Sequence, residues 1–136
     1  MQDRPSIDEL LGAVAGFLED DVMANTTGRI NFHARVSVNV LQMIRRELNE
    51  QESHLATEWE ALSGLLGPVE RPAAISGLAA SIEERNRQLS GRIRDGHYDD
   101  AGDGRERLLE HLRRVTFDKL VVSNPSLAEE AASSGQ

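Results

Sequence analysis

The sequence predicts an all-α fold, a single-domain bundle of about five helices followed by a disordered C-terminal tail. Three observations point there. Every segment with an apolar pattern repeats at the helical period, and no stretch alternates with period two. The clearest breaks between those segments fall at Gly or Pro. Aromatic residues are only 4% of a chain that is 39% hydrophobic, so the core must be built from Leu, Ile, Val and Ala, as helical bundles are. A length of 136 residues suffices for one domain with its own core. It is expected over residues 1–125, with the tail at 126–136.

Each helix follows from start and stop signals. The first opens at Ser6, with Glu9 three residues on as a capping-box pair, and carries Ile7, Leu10, Leu11, Val14, Leu18 and Val22 until Asn25-Thr26-Thr27-Gly28 breaks it. The second, 28–49, is apolar round most of its circumference. Ile30, Ala34, Leu41, Ile44 and Leu48 form one stripe and Phe32, Val36, Val40 and Met43 a second, so this helix is expected to be covered on two sides. The third runs from about Glu52 to Leu66, where Gly67-Pro68 stops it. The fourth follows Pro72 and ends at Gly96, which suits a left-handed cap. The fifth runs from about Arg105 to Ser123, and Pro125 forbids its continuation. Beyond it no apolar pattern is left, hence the expected disorder.

The narrow polar remainder of the second helix, Arg35, Asn39, Gln42 and Arg46 with His33 at the seam, is the best candidate for a site. Other residues break the binary pattern. Gly12 and Gly16 sit opposite the apolar stripe of the first helix, either admitting a second subunit or partner closely or standing as exposed glycines that cost about 1 kcal/mol each. Asn86 falls inside the stripe of the fourth helix, where it fixes register or touches a ligand. Lys119 extends the stripe of the fifth, where it snorkels to water or binds a phosphate. His33 lacks an oriented acidic partner, so it is not expected to act as a general base. The loop from Asp95 to Glu106 has a few carboxylates at calcium-loop spacing, but His97 and Asp100 occupy positions that need a carboxylate and a glycine. No metal site and no catalytic residue is expected.

Composition excludes several classes of function. A formal net charge of −8 argues against nucleic acid or an anionic membrane as partner. The sign alternates along the chain, with −5 over residues 1–27, +3 over 28–49 and −4 over 50–71. Acidic and basic helices are therefore neighbours, or a small basic surface meets an anionic ligand. There are no cysteines, which removes disulfides and thiolate chemistry. No leader or membrane-length apolar run is legible, and a cytoplasmic location is expected. A phosphate-cradling glycine loop and a nucleophile elbow are both missing, and no cofactor is expected.

Three stretches carry a family resemblance. Arg4-Pro5 with Glu9-Leu10-Leu11, then Phe32-His33-Ala34-Arg35-Val36 with Asn39 and Arg46-Glu47-Leu48, then Asp118-Lys119-Leu120-Val121-Val122 with Asn124-Pro125, together resemble a bacterial family of small proteins. Its members are typically encoded beside aminoglycoside-phosphotransferase-like kinases and acyl-CoA dehydrogenases. The resemblance implies an accessory subunit. In levulinate-type acid catabolism such a kinase phosphorylates a hydroxyacyl-CoA efficiently only with its small partner, and a dehydrogenase-like enzyme removes the phosphate. The family offers no catalytic residues to carry over, only His33, Arg35, Asn39, Lys119 and Asn124 as positions to inspect. The expectation is a non-catalytic partner of that kinase. The alternative is a free-standing homodimeric module for a small anionic metabolite, using Arg35, Arg46 and Lys119.

Overall fold

The computed structural model describes residues 4–134, all of whose regular structure is helical. In chain order these are α1 (Ile7–Phe17), a π-helical segment (Leu18–Met23), α2 (Gly28–Leu66), α3 (Ile75–Arg94), α4 (Asp103–Ser123) and α5 (Pro125–Ser134). No described helix is long and apolar enough to cross a membrane. The chain divides into two compact units, Met1–Asn49 and Glu50–Gln136, with the boundary inside α2.

Unit 1 is a helical hairpin. The capping box at its start is complete, with the Ser6 hydroxyl accepting from the Glu9 amide and the Glu9 carboxylate accepting from the Ser6 amide. Its corner is pinned by side chains that take up carbonyls the widened π turn leaves free. Asn31 Nδ2 donates to the carbonyls of Met23 at 2.7 Å and Thr26 at 3.0 Å, and Thr26 Oγ1 donates to Val22 at 2.6 Å. At the open end Arg45 grips Asp8 through two bonds, Nε to Oδ1 at 2.7 Å and Nη2 to Oδ2 at 2.9 Å. That fork fixes the register of α1 against α2.

Unit 2 holds the larger core, in which Trp59 and Leu62 of α2, Leu78, Ile82 and Leu89 of α3 and Leu108 of α4 pack together. A buried arginine closes the C-terminus of α2. Arg85 Nη2 donates to the carbonyls of Leu62 at 2.9 Å and Gly67 at 2.8 Å, and its guanidinium lies 4.9 Å from the Trp59 ring centre. Helix C-termini leave carbonyls without partners and carry partial negative charge, so a cation there meets both needs. The hydroxyl of Tyr98 donates to Leu65 at 3.3 Å. Gly96 takes the left-handed φ of +81° expected of it, and the chain turns out of α3 there.

Two differences from the sequence expectation have clear causes. The expected second and third helices are one continuous α2, because Asn49-Glu50-Gln51 lapses in apolar pattern but contains neither Gly nor Pro to stop a helix. The expected tail is helical from Pro125 to Ser134, with Ala128 buried. Asn124 caps it, its Oδ1 accepting from the Leu127 amide at 3.2 Å, and Pro125 sits at the first helical position, where its fixed φ suits a helix start. Residues 135–136 lie outside the described residues.

Candidate functional site

In unit 1 many of the large apolar side chains are exposed, Leu11, Leu18 and Leu41 are half-buried, and the buried positions carry small side chains. The side of α1 against α2 is built around Gly12 and Ala15, the latter buried, while Ile7, Leu10, Val14 and Phe17 are exposed. On the unit 1 part of α2 the buried positions are Ala34 and Val38, in line with Arg45. At 100° per residue the stripe Phe32, Val36, Val40 and Met43 stands roughly opposite that line, on the back of the helix. It too is exposed, Phe32 by 63%. Ile30, Ile44 and Leu48 flank the contact and are exposed as well. Ideal helical geometry places Ile7 and Val14 of α1 on the same side of the hairpin as Ile44 and Leu48 of α2, with Arg35, Asn39 and Gln42 on the opposite side. The hairpin therefore has one apolar and one polar face. The two-sided cover expected for this helix is present on one side only.

The polar candidates have varied surroundings. His33 is exposed, not seated in a seam: its Nε2 accepts from Arg29 Nε at 3.4 Å and its ring lies edge-on to Phe32, with centres 5.6 Å apart. Arg35 and Asn39 are exposed, while Arg46 is half-buried. Gly12 admits a neighbour within this chain, since a Cβ there would come within 3.4 Å of the Arg45 guanidinium. A Cβ at Gly16 would meet only Asp20, at 4.0 Å. Lys119 is exposed and belongs to unit 2, whereas Arg35, Asn39 and Arg46 belong to unit 1. Asn124 serves as the cap of α5. Asn86 is half-buried and donates to Glu58 at 2.7 Å, so its partner lies within unit 2.

Unit 2 has an open cleft of about 920 Å³ between the C-terminal part of α2 and α4. Thr57, Ala61, Gly64 and Leu65 line it from α2, and Arg107, His111, Arg114 and Phe117 are among its residues on α4. Arg114 Nε donates to Asp118 at 3.2 Å. His111 is 5% exposed and its Nδ1 has no hydrogen-bond partner, a deficit that ordinarily costs about 1–3 kcal/mol. Burial pushes the His111 pKa down and the nearby Glu58 carboxylate only partly opposes this, so the ring is neutral at neutral pH. A smaller groove of about 370 Å³, lined by Leu109, Leu112, Leu120 and Ala131, adjoins it at Arg113 and Phe117. Among the described residues no three His, Asp or Glu side chains are grouped to hold a metal ion.

The arrangement matches a family on most of its length: the model described as a domain of unknown function, DUF6285, covers residues 24–127. The chain belongs to the DUF6285 family. The DUF6285 match takes in α2, α3 and α4 whole, and with them the exposed stripe of α2 and the cleft of unit 2. No curated protein and no solved structure matches the chain.

Sequence reasoning missed Arg45, Arg85 and the cleft. His111 did leave a signal, since it falls in the apolar line of Leu108, Leu112 and Val115. Arg85 left none beyond its place three residues after Ile82.

Proposed function

We propose that this protein is a non-catalytic accessory subunit, and that it docks through the apolar face of the unit 1 hairpin onto an aminoglycoside-phosphotransferase-like kinase acting on hydroxyacyl-CoA. The observation that carries the docking half is the outward orientation of Ile7, Val14, Ile44 and Leu48, with the Phe32 stripe beside them. A chain gains nothing by keeping Ile7, Val14, Ile44 and Leu48 in water while it buries Ala15, Ala34 and Val38, and exposed patches of this kind mark protein contact surfaces. Interfaces are also enriched in aromatic residues and methionine, which Phe17, Phe32 and Met43 supply. The kinase as partner rests on the family resemblance of the motif positions. The cytoplasm is the compartment that this partner implies.

Purified chain added to the neighbouring kinase is expected to raise ATP turnover on a hydroxyacyl-CoA. Turnover unchanged at saturating chain would refute the kinase assignment. The docking face is tested apart from it, by whether substitutions at Ile44 and Leu48 abolish association with the partner.

A further inference from the structure

The cleft of unit 2 has features that neither the core nor the docking face uses. Arg107 and Arg113 line it without an acidic partner among the described residues, and Arg114 gives only its Nε to Asp118. Glu110 is the one other carboxylate on the lining, so the mouth is net basic in a chain of charge −8. Arg107 and Arg114 are seven residues apart and lie on one side of α4, about two turns from each other. The floor, by contrast, is mostly carbon, from Ala61 and Leu65 on α2 and from Phe117 on α4.

Gly64 adds an independent observation. It lies inside α2, where a glycine weakens a helix, yet a Cβ built there would meet nothing within 4 Å. Packing within the chain does not explain the missing side chain. Its position on the cleft does, because any larger residue would stand in the open space. His111, nine-tenths buried on the same lining with Nδ1 unpartnered, is a second polar group that nothing in unit 2 satisfies.

We propose that this cleft binds a small organic anion with an apolar body, its head held by Arg107 and Arg114 and its hydrocarbon laid along Leu65, Phe117 and the gap over Gly64. A volume of about 920 Å³ suits an organic ligand and far exceeds an inorganic anion. Guanidinium groups take carboxylates through paired, parallel bonds, which favours that head group. This inference concerns unit 2 alone and stands whether or not the hairpin docks a kinase.

The experiment is calorimetric titration of the full chain with decanoate, decanol and acetate. Decanoate is expected to bind about tenfold or more tightly than either of the others, since each lacks one half of what the site recognises. Gly64→Leu fills the gap and is expected to weaken decanoate binding by about tenfold or more while melting no lower than wild type, leucine being the better helix former. Arg107→Gln, at an exposed position, is expected to weaken decanoate and leave decanol unchanged. It keeps the test decisive if Gly64→Leu fails to fold. Equal affinity for decanoate and decanol would overturn the proposal, as would wild-type decanoate binding by Gly64→Leu.

Discussion

Replacing Arg85 by Met keeps the buried stem and removes the guanidinium, and the structure sets the size of the effect. Two hydrogen bonds are lost, to the carbonyls of Leu62 at 2.9 Å and Gly67 at 2.8 Å, together with the stack on Trp59 at 4.9 Å. Bonds from a charged donor are worth about 1.5–3 kcal/mol each and the stack about 0.5–2 kcal/mol. Against this, the wild type buries a charge that pairs with no carboxylate among the described residues, and its Nε lacks a partner there, so the methionine regains part of the loss. The net destabilisation is expected at about 2–4 kcal/mol, which for a chain of this size lowers the Tm by more than about 6 °C. Thermal melting followed by circular dichroism and by Trp59 fluorescence reads it. Arg85→Lys is expected to recover part of the loss, because one Nζ can donate to both carbonyls as the single Nη2 does, but a lysine has no planar guanidinium to stack on Trp59. A methionine variant that melts within about 2 °C of wild type would refute the assignment of Arg85 as the cap of α2.

Two pH effects follow from the same structure. His111 is held below its ordinary pKa by burial, so the unfolded chain takes up its proton more readily, and stability is expected to fall as pH drops below about 6.5, levelling once the folded form is protonated. His111→Gln should flatten that part of the curve in melts between neutral and mildly acidic pH, and an unchanged slope would contradict the buried neutral ring. Asp8 is held below the usual carboxylate range by its hydrogen bonds to Arg45, so this pair's contribution is present above the ordinary aspartate pKa and lost as pH falls through the lowered value. Asp8→Asn should remove that acid-sensitive component, and a variant with the wild-type acid profile would show that the fork contributes nothing.

Periodicity and breakers were enough to read the helices, because amphipathic patterning and the signals at Ser6, Gly67 and Gly96 are local. What they missed was set by tertiary context. The continuity of α2 through Asn49 depended on the absence of a stop signal, not on apolar pattern. Pro125 read as an end because it terminates α4, yet with Asn124 as cap it starts α5. On α1 the apolar stripe was legible but not its direction: pattern cannot tell whether Val14 or Ala15 faces α2, and the pairing of Asp8 with Arg45, thirty-seven positions apart in sequence, decides it. The cleft was illegible for the same reason, since Gly64 and Arg107 meet only through the packing of α2 and α4.

The most direct test of the central claim is a binding isotherm of the kinase with wild-type chain and with the double variant Ile44→Asp, Leu48→Asp. Both positions are already exposed, so the variant is expected to melt close to wild type. Two charges placed in a buried apolar contact are expected to weaken association by about a hundredfold or more. A double variant that folds normally and binds the kinase with wild-type affinity would contradict docking through the apolar face of the hairpin.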